Sequence, residues 1–118
     1  MVSGRGSNKV PMAQPVERRS KRVLMDVPVV VRGEAPDHQR FQEETFTVTV
    51  SAHGALVMLA TRVAPGQSLV VLNPANWDER EARVAYVGPD RAGLTQVAVE
   101  FAKPSPEFWL LSSPPSDW

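Results

Sequence analysis

The chain has 118 residues, 42% of them hydrophobic and 22% charged, the size and make-up of a single soluble globular domain with one core. It has no cysteine, which excludes disulfides and thiolate metal sites, and it holds no apolar run near the roughly 18 residues of a membrane span. The formal charge of zero hides a division: residues 1–22 carry six cations against one acid, a net +5, while the remainder carries seven against twelve, a net −5.

The chain opens on Met1 to Lys9, which lacks the apolar centre of a secretory signal, so the cytoplasm is the expected location. Residues 1–16 are rich in Gly, Ser and Pro without apolar periodicity. Such a stretch cannot offset the entropy of ordering, and it reads as a flexible basic N-terminal arm. At its end stands Glu17-Arg18-Arg19-Ser20-Lys21-Arg22, with four cations in five positions just before the first convincing strand. Guanidinium groups are planar, permanently charged forks that grip phosphate in bidentate fashion and stack on flat rings, so the cluster suits a nucleotide-like anion. Its alternatives are a solvated linker and a nonspecific nucleic-acid arm. The last is the weakest, because no aromatic residue is interleaved with the cations to stack on bases.

From Val23 onward Val23, Met25, Val27, Val29 and Val31 fall on one face of an extended segment, with Pro28 marking an edge or a bulge. Residues 33–42 read as a hairpin loop. The second strand has Phe46, Val48 and Val50 alternating with Thr45, Thr47, Thr49 and Ser51; period two sends the apolar set to the core and leaves Thr49 and Ser51 on the wetter face. Ala52-His53-Gly54 makes a tight turn, with Gly54 expected at positive φ. Further strands are expected at Ala55–Leu59, Ser68–Leu72, Glu79–Val87 and Thr95–Phe101, separated by turns at Val63–Gln67, Asn73–Trp77 and Gly88–Gly93. Glu79, Arg80, Glu81 and Arg83 read as surface charges, and Trp77 and Trp118 as packing residues.

After Lys103 the pattern changes. Ser105 is placed to cap a short helix with Pro106 at its first position, and Phe108, Trp109, Leu110 and Leu111 are apolar enough to plug one end of the sheet. Six short strands separated by turns imply a small antiparallel barrel or sandwich, with no room for the long crossovers of parallel sheets.

Two motifs carry a family resemblance. Arg18-Arg19-Ser20-Lys21-Arg22 resembles the R-x-x-x-R signature of PilZ domains, with Arg18 and Arg22 as its arginines. Thr49-Val50-Ser51-Ala52-His53-Gly54, about thirty residues on, resembles the [D/N]-x-S-x-x-G signature of the same family. The six-strand rhythm from 23 to 101 and the Ala64-Pro65-Gly66-Gln67 turn are also similar to a PilZ barrel. The resemblance implies an all-β fold: a six-stranded antiparallel PilZ-like β-barrel over 17–112, a short C-terminal helix, a disordered arm at 1–16 and a tail at 113–118.

In function it implies a cytoplasmic bacterial receptor for cyclic di-GMP, in which nucleotide orders the arginine loop and an unidentified protein partner reads the result. Arg18 and Arg22 would take phosphate oxygens and the guanine O6/N7 edge, and Arg19 would stack on a base or hold the loop. Ser51 would offer a hydroxyl, His53 a donor to phosphate, and Gly54 a close backbone approach to the ligand. Thr49 departs from the signature. Its single uncharged acceptor cannot span the two guanine donors that Asp or Asn would meet, so the alternative is a protein-protein adaptor of the same fold that binds no nucleotide. His53 stands in a turn with only His38 as a second imidazole and no flanking carboxylate pattern, so no metal or other cofactor is expected. No nucleophile elbow or Gly-rich phosphate loop is present, and the chain does not read as an enzyme.

Overall fold

A computed structural model describes residues 21–118, so the arm read at 1–16 lies outside the described residues. Its strands are β1 (Val23–Leu24), β2 (Pro28–Glu34), β3 (Arg40–Ser51), β4 (Gly54–Leu59), β5 (Ser68–Asn73), β6 (Asp78–Arg91) and β7 (Leu94–Phe101), followed by a 3-10 turn at Pro106–Trp109. Every pairing is antiparallel, in the order β3-β2-β5-β6-β7-β4, and β4 pairs back to β3. The result is a closed six-stranded barrel in which β1 and β2 are two pieces of one interrupted strand along β3.

Valine dominates the interior. Val29, Val31, Val50, Val57, Val71, Val84 and Val97 are fully buried together with Leu59 and Leu69. Branching at Cβ restricts these side chains in the extended conformation and packs well on a pleated surface. The alternation expected from Val23 to Val31 continues through the break between β1 and β2, with Pro28 exposed on the outer face.

The alternation expected for β3 fails halfway. Thr47 is buried and Phe46 is 57% exposed, the reverse of the period-two reading. The cause is a register shift between Thr47 and Thr49 in the ladder with β4, which lets Thr47 and Val50 both point inward although three residues apart. The Thr47 hydroxyl offsets the cost of this burial: it accepts from the Val27 N–H at 2.8 Å and donates to the Met25 carbonyl at 2.7 Å. These are backbone groups at the interruption of the first strand, where the ladder gives way.

Two loops are shorter than expected. The hairpin read at 33–42 narrows to 35–39, because both strands extend into the charged residues around Arg40 and Glu34. Likewise β6 runs through Gly88-Pro89 to Arg91, and the turn is only Ala92-Gly93, both at positive φ as a two-residue hairpin requires. Pro89 is tolerated because the pairing of β6 with β5 ends at Arg83, so the far part of β6 is an edge on that side, with irregular pairing to β7.

The C-terminal element is a 3-10 turn where an α-helix was expected. Ser105 makes no side-chain cap; its hydroxyl donates to the Lys103 carbonyl at 3.1 Å and accepts from Arg80 Nε at 3.0 Å. Leu110 then enters the left-handed region (φ 60°) and stops the helical geometry, leaving its side chain exposed outside the plug. Phe108 and Trp109 do close the barrel end against Phe101, with ring centroids 4.8–5.8 Å apart.

Arg80 fastens this plug. Its guanidinium lies 5.4 Å from the centre of the Phe108 ring and bonds Asp78 at 3.0 Å and Glu107 at 3.1 Å. The hydrogen bond to Asp78 is the main cause that raises its pKa. Arg80 is thus a hub where the sequence suggested a surface charge. Arg80→Ala is expected to destabilise the domain by about 2 kcal/mol, since charge-assisted hydrogen bonds and ring packing are lost together. A fall in the urea midpoint at unchanged m-value measures it.

Candidate functional site

Where the motifs meet is decided by the β1–β3 ladder. Val23 pairs with Val50 and Leu24 with Thr49. Continued by one residue, the same register sets Arg22 level with Ser51. Val50 is buried in the core, so Thr49 and Ser51 fall on the outer face, with Leu24 beside Thr49. Arg22 is exposed, and Thr49 and Ser51 are half-buried. Arg18 and Arg19 lie outside the described residues.

The turn after β3 is held by backbone. The Ser51 hydroxyl accepts from the His53 N–H at 3.2 Å, and the Ser51 carbonyl accepts from the Trp109 indole at 2.8 Å. The Ala52 and His53 carbonyls accept from Ser105 N–H (2.7 Å) and Phe101 N–H (2.8 Å). The second motif is therefore bolted to the aromatic plug. Its hydroxyl is presented from a rigid platform.

Gly54 has the expected positive φ, at 159°, and it is buried and begins β4. What requires glycine is proximity: a Cβ here would sit 2.0 Å from the Val99 carbonyl oxygen on β7. The close approach is between two strands of the barrel.

The sequence reading missed the apolar floor around Thr49. Thr49 faces Leu24 on one side and Leu56 on the other; Leu56 pairs with Ala98, and Ala98 with Tyr86. Leu24 is 81% exposed and Tyr86 58%. The signal for Leu24 was available: it falls between the inward positions Val23 and Met25. That for Tyr86 was not, because the irregular pairing of β6 hides its face.

This geometry, a six-stranded barrel with Arg22 just before β1 and with Thr49 and Ser51 on the outer face at the end of β3, agrees with the family comparison, in which the PilZ domain profile matches residues 17–108. The chain belongs to the PilZ domain family. Comparison with curated proteins returns no match. Among solved structures the PilZ chain is similar to the Bacillus subtilis inhibitor of motility (MotI/DgrA), with a TM-score of 0.56 and 19% identity. The likeness covers 75% of this chain and 44% of that one, so this PilZ domain spans less than half of its neighbour's length.

A prominent groove of this PilZ domain lies elsewhere. It has about 1040 Å³ and is bounded by Arg32, Arg40, Glu81 and Arg83, without Thr49, Ser51, His53 or Gly54. Its mixed charge does not mark an anion site. A smaller hollow of about 480 Å³ lies between Arg22 and the tail segment Leu111–Pro115. Among the described residues no three His, Asp or Glu side chains gather to hold a metal ion, and no helix is long and apolar enough to cross a membrane. Trp77, read as a packing residue, is 73% exposed at the β5–β6 turn.

Proposed function

We propose that this PilZ domain is a cytoplasmic cyclic di-GMP sensor module without catalytic activity of its own, whose nucleotide is held between Arg18, Arg19 and Arg22 and the Thr49–Gly54 turn. The observation that carries the reading is the β1–β3 register, Val23 with Val50 and Leu24 with Thr49, which continued by one residue would bring Arg22 level with Ser51. Family membership supplies the ligand class. Arg22 would take a phosphate or the guanine edge, and Ser51 would add a hydroxyl from its fixed platform. His53 would border the ligand through the turn it occupies, while Gly54 would act indirectly by keeping β4 seated on β7. A basic segment neutralised by a dianionic ligand would settle on the barrel, and a protein partner would read the altered surface.

Isothermal titration tests the reading. Cyclic di-GMP is expected to bind the native chain, and Arg22→Ala is expected to weaken binding by about ten- to a hundredfold, the loss of one charge-assisted contact. The absence of heat from a folded native chain at high ligand concentration would sink the receptor reading.

One observation favours a second reading. Thr49 sits among Leu24, Leu56 and Ala98 with no acid at the position where the family signature has one, a surface suited to contact with an apolar protein partner. On that reading the domain is an adaptor, and arginine substitutions leave partner capture unchanged.

A further inference from the structure

The last two residues of the chain fold back onto the root of the arginine segment. The Lys21 N–H donates to the Asp117 carboxylate at 2.8 Å, and the Trp118 indole N–H donates to the Lys21 carbonyl at 2.6 Å. Both backbone polar groups of one residue are therefore taken by the tail. Lys21 lies two residues before β1 and outside the β1–β3 ladder, so the barrel's own pairing does not hold it.

The tail is itself anchored. The Trp118 N–H closes a turn on the Pro115 carbonyl at 3.1 Å, and Trp118 and Leu111 are partly buried against the core, as are Val23 and Met25. Between tail and root is the hollow bordered by Arg22, Ser112 and Ser113. Two contacts spanning 96 and 97 residues thus converge on the point where the motif arginines join the barrel.

We propose that Asp117 and Trp118 form a positioning clamp: they fix the Lys21 backbone so that Arg22 stands level with Ser51 before any ligand arrives. The inference deepens the receptor reading and rests on it for its ligand. Its physical content is pre-organisation. A backbone residue ordered in the free protein need not be ordered on binding, so the clamp raises affinity without touching nucleotide.

The test uses the full chain, compared with D117A/W118F, which removes the acceptor and the indole donor while keeping a ring at 118, and with Asp117→Asn, which keeps an acceptor oxygen. Amide exchange at Lys21 is expected to speed up at least tenfold in the double variant and to stay near native in Asp117→Asn, with the Val50 and Val97 amides unchanged in both. Cyclic di-GMP affinity is expected to fall by about tenfold in the double variant alone, the cost of ordering about one residue. Unchanged Lys21 exchange overturns the clamp, and so does equal or tighter nucleotide binding after Lys21 has loosened. A native chain that binds no cyclic di-GMP, with Lys21 loosened in the double variant, upholds the clamp and overturns the receptor reading instead.

Discussion

Gly54→Ala is expected to cost about 3 kcal/mol or more, among the largest effects of any single substitution in this domain. A Cβ at 54 would meet the Val99 carbonyl oxygen at 2.0 Å and the Glu100 Cα at 3.1 Å, both backbone atoms of β7 that no rotamer change can move. Relief requires β4 to slide or lift from β7, and the Gly54 to Leu59 ladder is one of the seams that close the barrel. The same movement would carry the Ser51–His53 turn off its bonds to Trp109 and Phe101. Thermal or urea denaturation checks the stability loss. A variant as stable as the native chain would show that β4 and β7 are less tightly apposed than described.

Thr49→Asp is the second large effect, and it is a gain. A carboxylate on the outer face between Leu24 and Leu56 would present two acceptor oxygens to the guanine donors, where the threonine hydroxyl presents one neutral acceptor. A charge-assisted contact contributes about 1.5–3 kcal/mol, so affinity for cyclic di-GMP is expected to rise roughly ten- to a hundredfold. Stability should change little, because the position is half-exposed and the substitution leaves the core untouched. Titration of the native chain and the Thr49→Asp variant side by side separates the two functional readings. A rise from measurable binding fits the sensor; a rise from none identifies an adaptor that retains the remains of a site. No change in either direction removes Thr49 from the proposed site altogether.

How far the sequence reached can be followed residue by residue. The interior of β1 and β2 was legible because apolar residues at every second position have only one face to bury; the count of strands and the shortness of their turns led to an antiparallel barrel or sandwich, and the family resemblance to the barrel. The β3 bulge was not legible. Phe46 and Thr47 side by side give hydropathy no reason to put the threonine inside, and the reason lies in Met25 and Val27, whose backbone groups need its hydroxyl. For Gly54 the positive φ was legible from the turn, but the contact with Val99 was not, since it depends on how the barrel closes. Arg80 looked like one surface charge among several because its partners at 105, 107 and 108 are distant in sequence. The tail was set apart as a separate segment for the same reason: nothing in Asp117-Trp118 points to Lys21 until the two ends of the chain are seen together.

The closure of the sheet also limits how another protein can attach. Among the described residues, the stretches with no strand on one side include the two-residue β1, Arg40–Phe46 of β3 on the side away from β2, and β6 beyond Arg83, which is interrupted by Pro89 and irregular in its pairing. Recruitment by strand addition would have to use one of these short edges. Anything that docks elsewhere on this closed surface recognises protruding side chains, and a substitution at an exposed position such as Tyr86, Phe46 or Trp77 can then abolish an association without disturbing a single main-chain bond of the scaffold.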